Sequence, residues 1–212
     1  LANMHVTQNG GIGQQSSFFQ RGFDASNTVV MINGIRYNDP TTTKGQAQLE
    51  NLMVNNIERI EIINGAQSGL WGANAVAGVI NIITKKATEK LSIGGSLEYG
   101  SFATTKVAVD VSQKVGDLSY YVGANQIMSH SFSAMTPEGE NPEDFEKDRY
   151  KNQTLTTRLG YDLTHDDTLE AQFSLIDATV QYDSYDPMTY LPDPNATGYE
   201  TQTLNRLGSL SY

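Results

Sequence analysis

The sequence has no cysteine, three histidines and a single tryptophan, and basic residues are scarce, 14 against 24 acidic. Without cysteine there is no disulfide framework and no thiolate metal site. His5, His130 and His165 are too far apart for a zinc or catalytic cluster at local spacing. A net charge near −10 excludes a nucleic-acid partner, since phosphate binding needs a basic face, and an acidic surface suits cations better. Long apolar runs are missing too. The best, Ala75 to Ile83, is short and broken by Asn81, which excludes a spanning helix but not a β-barrel, whose alternating strands average to low hydropathy. The opening LANMHVTQNGGIGQQSSFFQRG has neither an initiator methionine nor a signal-peptide pattern and reads as the interior of a longer protein. No nucleophile, base and orienting group recur at a diagnostic spacing, so no enzyme is expected.

What is present falls into two textures that meet near Thr84 to Lys90. The first is glycine-punctuated. Thr28 to Ile32, Asn33-Gly34 and Ile35 to Tyr37 predict a hairpin, because Asn-Gly supplies the two positive φ angles of a type I′ turn. Leu49, Leu52 and Met53 predict a short amphipathic helix over 46–55. Ile57 to Ile63 reads as a strand, Gly69 to Gly72 as a tight loop or single helical turn, and Val79 to Thr84 as a closing strand. The glycines at 65, 69, 72 and 78 lack the terminal Gly-Lys-Ser/Thr or the Gly-x-Gly-x-x-Gly of a phosphate cradle.

The second texture alternates with period two. Runs over 91–99, 105–114, 118–128, 153–163 and 168–177, and another from about Thr203, each place apolar residues on one face. At about ten residues they match tilted membrane-crossing strands rather than ordinary globular ones. The turns at Val115-Gly116-Asp117 and His165-Asp166-Asp167 are tight, whereas the connections from the third run to the fourth and from the fifth to the sixth are long. Alternating short and long connections put the long loops on one side, as in outer-membrane barrels, although the connection at 100–104 is short on the long-loop side. A soluble up-and-down barrel or sandwich is the alternative.

Phe19-Gln20-Arg21-Gly22, Val30 to Arg36, Arg59 to Ile63 and the run Leu70 to Thr84 (LWGANAVAGVINIIT) resemble the plug domain of TonB-dependent outer-membrane receptors, in that family's order and spacing. The resemblance implies a mostly β chain. Residues 1–86 would be the C-terminal part of a small mixed α/β plug, and residues 87–212 about the first six antiparallel strands of a large transmembrane barrel, truncated here. The glycines of the plug would allow close packing inside a lumen. A complete barrel needs roughly 400 residues or more, so the chain reads as a fragment of a Gram-negative outer-membrane protein.

The resemblance further implies a receptor without covalent chemistry or covalent cofactor. It would meet outer-membrane lipid, bind a scarce large nutrient and import it with energy from TonB. Gln8 to Gly11, Gln14 to Ser17 and Asp24 to Ser26 most resemble cobalamin-transporting members, with ferric siderophore or haem receptors as the alternative. A passive barrel or a soluble β binding module is the remaining reading. Ligand contacts are expected at Gln14, Gln15, Ser16, Thr43, Lys44 and Gly45. Arg21, Glu58, Arg59 and Glu61 are expected to form a charge network with each other or with barrel carboxylates, because a buried unpaired charge is costly. Asn64 stands where the family carries a second arginine. By the same match Glu146, Asp148, Asp183 and Asp193 are candidates to hold Ca2+ in the outer loops, although Ser133 replaces an aspartate of the family pattern.

Overall fold

The computed structural model describes residues 4–141, 144–193, 195 and 197–212. The chain divides into one compact unit of residues 1–8 and 15–86 and another of residues 9–14 and 87–212.

In the first unit, β1 (Met4–Gln8) pairs antiparallel with β2 (Ser16–Gln20). A second sheet has the order β4-β3-β6-β5, from β3 (Thr28–Ile32), β4 (Ile35–Arg36), β5 (Ile57–Asn64) and β6 (Gly78–Thr84). β3 runs parallel to β6, and all five of its residues are buried, the continuous apolar pattern of a strand covered on both faces. Val29, Met31, Ala75 and Val79 form the core cluster. The expected hairpin is present: Ile32 pairs with Ile35, and Asn33 and Gly34 have φ of 50° and 83°. The single helical turn is present as α1 (Ser68–Trp71).

The expected helix over 46–55 does not form. Two separate 3-10 turns, Leu49–Asn51 and Val54–Asn56, stand there with Leu52 and Met53 extended between them. Ten residues containing two asparagines nucleate a helix poorly, and Asn51, with Asn56 just beyond the stretch, is instead buried. Of the expected close-packing glycines, Gly78 is tight: an added Cβ would lie 2.2 Å from the Ile63 carbonyl oxygen and 2.6 Å from Gln20 Nε2. Gly72 has open space around it within 4 Å, and its φ of 87° fits a role in ending α1.

The second unit is one antiparallel meander, order β14-β11-β10-β9-β8-β7, with every sequential strand beside its predecessor. Its strands are β7 (Ser92–Gly100), β8 (Thr104–Val115), β9 (Leu118–Ser129), β10 (Tyr150–Asp162), β11 (Thr168–Gln181) and β14 (Glu200–Ser211). The small hairpin of β12 (Ser184–Tyr185) and β13 (Pro192–Asp193) lies within the connection after β11.

The faces are inverted relative to a soluble sheet. Ile93 and Leu97 are each 76% exposed and Leu159 is 45% exposed, whereas Asn152 is fully buried and Arg158 is 7% exposed. Along β10, Leu155, Leu159 and Tyr161 face out while Asn152, Thr154, Thr156 and Arg158 face in. Arg158 Nη2 pairs with Glu170 Oε1 at 2.7 Å. Apolar outside and polar inside is the pattern of strands solvated by lipid. No helix among the described residues is long and apolar enough to cross a membrane.

Candidate functional site

Most of the chemistry gathers at the long-loop end of the second unit. There the backbone of residues 133–135 turns its donors onto two aspartates. Ser133 Oγ and Met135 N–H donate to Asp183 Oδ2 at 2.8 and 3.0 Å, and Ala134 N–H donates to Asp148 Oδ2 at 3.0 Å. Each aspartate is thus held through one oxygen. The other oxygen, Oδ1 in both, is buried with no hydrogen-bond donor. Asp148 is fully buried and Asp183 is 7% exposed. Glu146 completes the group: one carboxylate oxygen from each of the three lies within 4.8 Å of the others.

Three carboxylates this close repel one another, and their burial penalises charge further. Burial, opposed by the Ala134 hydrogen bond and reinforced by the charges of Asp183 and Glu146, pushes the Asp148 carboxyl up to about 6. Glu146 is raised for the same reasons, burial first and Asp183 next. The arrangement fits a hard cation. Oxygens bound to one Ca2+ at about 2.3–2.6 Å stand no more than about 5 Å apart, and the two orphaned Oδ1 atoms are the lone pairs such an ion would take. Asp193 stands outside the group, its Oδ1 accepting from Asn195 N–H at 3.0 Å. Ser133, 1% exposed, contributes a neutral donor rather than a fourth carboxylate.

Residues 9–14 pack onto the same turn. A Cβ at Gly10 would stand 3.0 Å from Ala134 Cβ, one at Gly11 1.9 Å from Ser131 Oγ, and one at Gly13 2.1 Å from the Tyr150 ring. Gly10 and Gly13 also have φ of 128° and 84°, so both conformation and space demand glycine. Gln14 is buried and its Nε2 donates to the Gln181 carbonyl at 2.7 Å. The orientation of Gln14 is therefore fixed, and Gln181 is a partner that sequence patterning did not reveal.

The other expected ligand contacts lie in the first unit. Gln15 is exposed. Ser16 Oγ donates to Glu50 Oε2 at 2.8 Å, and burial raises the Glu50 carboxyl against the lowering effect of its hydrogen bonds, including that from Ser16. Lys44 Nζ is 3.3 Å from Asp24 Oδ2. The Asp24 carboxyl is lowered chiefly by the Ser26 hydroxyl, with Lys44 assisting against partial desolvation. The Gly45 carbonyl accepts from Asn38 Nδ2 at 3.1 Å, and the loop closes on itself through Asp39 N–H to the Gln46 carbonyl. The Thr43 side chain lies outside the described residues. Ser16 and Lys44 are thus held by different carboxylates.

Of the expected charge network, Arg59 pairs with Glu58 at 3.0 Å and with Glu61 at 2.9 Å. All three are about half exposed, so the pairs are weak. Arg21 is exposed at φ 54°, with Nη1 3.5 Å from the position of a Cβ at Gly65, and has no carboxylate within 4 Å among the described residues.

Comparison with known proteins adds the family. Residues 1–79 match the model of the TonB-dependent Receptor Plug Domain. The chain shares its fold with the ferripyoverdine receptor of the Pseudomonas aeruginosa outer membrane, at TM-score 0.65 and 19% identity over 95% of this chain and 27% of that one. It likewise resembles the ferric enterobactin receptor PfeA, at 0.67 and 20% over 98% and 34%, and the copper transporter OprC, at 0.68 and 19% over 85% and 27%. This chain spans about a quarter to a third of their lengths. The matched plug and the apolar exterior of the strands after it agree with a Gram-negative outer-membrane location. Residues 1–79 thus resemble the plug domain of the TonB-dependent receptors, and the chain as a whole shares the fold of solved receptors of that kind.

Proposed function

We propose that the receptor carrying this sequence binds a ferric siderophore or a similar large metal chelate at the outer surface and imports it with energy supplied by TonB. The observation that carries this reading is the plug-family match directly ahead of strands with lipid-facing exteriors. Support for a ferric chelate over cobalamin comes from solved structures of the same fold, which include ferripyoverdine and ferric enterobactin receptors. Gln15, Ser16, Lys44 and Gly45 of the first unit are the polar groups offered to the ligand. Binding is by hydrogen bonds and charge, with no bond made or broken.

A divalent cation is part of the reading. Glu146, Asp148 and Asp183 would hold Ca2+, whose preference is for carboxylate oxygens, and the ion would neutralise charges that otherwise repel in a buried site. Three carboxylates and a neutral serine give a site of lower charge than a four-carboxylate one, hence a weaker affinity.

The test is titration of the intact detergent-purified receptor with a panel of ferric siderophores and with cobalamin, each with and without calcium. Saturable siderophore binding with no cobalamin response supports the reading. Tight cobalamin binding alone overturns the ligand assignment and restores the corrinoid alternative.

A further inference from the structure

Residues 9–14, Asn-Gly-Gly-Ile-Gly-Gln, fall within the stretch that matches the plug-domain family, yet they pack with the second unit rather than with the first. We propose, on the basis of the cation assignment above, that this segment is a strap that positions the three pieces of chain forming the acidic group, so that seating of the strap and binding of the cation strengthen each other.

The strap carries no carboxylate of its own, and its polar side chains are one asparagine and one glutamine. It touches instead every piece of chain that contributes to the group. Gly10 and Gly11 lie against Ala134 and Ser131, in the turn whose Ser133, Ala134 and Met135 groups donate to the two aspartates. Gly13 lies against the ring of Tyr150, two residues after Asp148, and Gln14 Nε2 is bonded to the carbonyl of Gln181, two residues before Asp183. Gln14 N–H donates to the Gly11 carbonyl at 3.2 Å, which braces the strap internally, and Gln181 N–H donates to the Arg149 carbonyl at 2.8 Å, which ties the two strand ends together.

The turn is where the coupling arises. Each aspartate is held there through one oxygen, so the direction of its unpartnered Oδ1 depends on where the turn sits. Ser131, 3% exposed, has φ 53°, a conformation that a non-glycine residue keeps only where its surroundings hold it, and the strap is part of those surroundings. Lifting the strap would free the turn to relax and would turn both Oδ1 atoms away from a common ion. Binding free energies are reciprocal, so a cation that fixes the turn must also hold the strap more firmly in place. The fit leaves no slack. A Cβ at Gly11 would meet Ser131 at both Oγ and Cβ, and Gly11, unlike Gly10 and Gly13, is not at positive φ, so its need for glycine is one of space alone.

The experiment uses the intact detergent-purified receptor and calcium alone, with calorimetric titration for affinity and amide hydrogen exchange for the strap. In wild type, calcium should slow exchange across residues 9–14. Gly11→Ala should weaken calcium binding by about tenfold, within the usual range for coupled sites. Adding Ser131→Gly should recover most of that loss, because it removes the Oγ and Cβ that the new methyl meets and suits φ 53°. A general loss of stability would not be repaired by a second substitution to glycine. Gln14→Leu, which removes only the bond to Gln181, should weaken binding by a smaller factor and serves as the milder variant should Gly11→Ala fail to fold. Calcium binding equal to wild type in Gly11→Ala, or in Gln14→Leu if only that one folds, overturns the coupling, as does exchange at residues 9–14 that calcium leaves unchanged. A wild type that takes up no calcium overturns the cation assignment and the coupling with it, whereas calcium uptake indifferent to the strap overturns the coupling alone.

Discussion

At the scale of single residues, the decisive feature is Asp148. Its Oδ2 is held by the Ala134 N–H while its Oδ1 is buried and unpartnered beside two other carboxylates. Removing that charge relieves repulsion but removes a ligand. Asp148→Asn should therefore raise the apo Tm and abolish the calcium-dependent stabilisation expected of wild type, about 2.7 kcal/mol at a hundredfold excess over Kd. Calorimetry in detergent checks both, and an unchanged calcium response in the variant contradicts the site. Glu50 offers a pH test. Its folded-state carboxyl is raised above the ordinary glutamate range by burial, so its ionised form costs stability at neutral pH, and that cost fades as pH falls toward the unfolded value. Glu50→Gln keeps an oxygen for Ser16 and should be more stable than wild type at pH 7, the gap closing below about pH 4.5. A gap that widens on acidification contradicts this.

At the scale of elements, the outward face of the strands makes a depth-dependent prediction. Leu159→Arg, in the apolar band, should cost about 2–4 kcal/mol of folding stability in bilayers, whereas Gln153→Arg, nearer the rim, should cost about 0–1. Equal costs in denaturant titrations would contradict a lipid-facing β10. The Asn33-Gly34 turn gives a second: Gly34→Val, at φ 83°, should destabilise by about 1–2 kcal/mol. Elements with strict local rules were legible in the sequence. Period-two alternation identified six long strands, and Asn-Gly identified the hairpin. The β1/β2 pair went unread because MHVTQ is five residues with only two apolar positions, and the 46–55 helix was misread because three apolar residues at helical spacing in ten positions arise easily in a chain of short turns. The acidic stretch before β10 was legible as acidic. That Glu146 and Asp148 meet Asp183 was carried by the family resemblance, since they precede β10 and follow β11 and meet only because those two strands pair. Gln181, Glu50 and the orphaned Oδ1 atoms had no sequence signal at all, because each depends on a fold-level neighbour.

At the scale of the whole molecule, the proposed receptor is an energised importer rather than a pore. A passive barrel would admit ligand without energy, and a soluble module would not carry Leu97, Leu155 and Leu159 on its exposed face. The most direct measurement is uptake of radiolabelled iron, delivered as a ferric siderophore that the purified receptor binds, by cells whose sole receptor is this protein, with and without TonB and with and without the proton gradient. Accumulation that needs both is the predicted result. Accumulation that persists without TonB, or none for any ferric chelate that binds, would contradict the account.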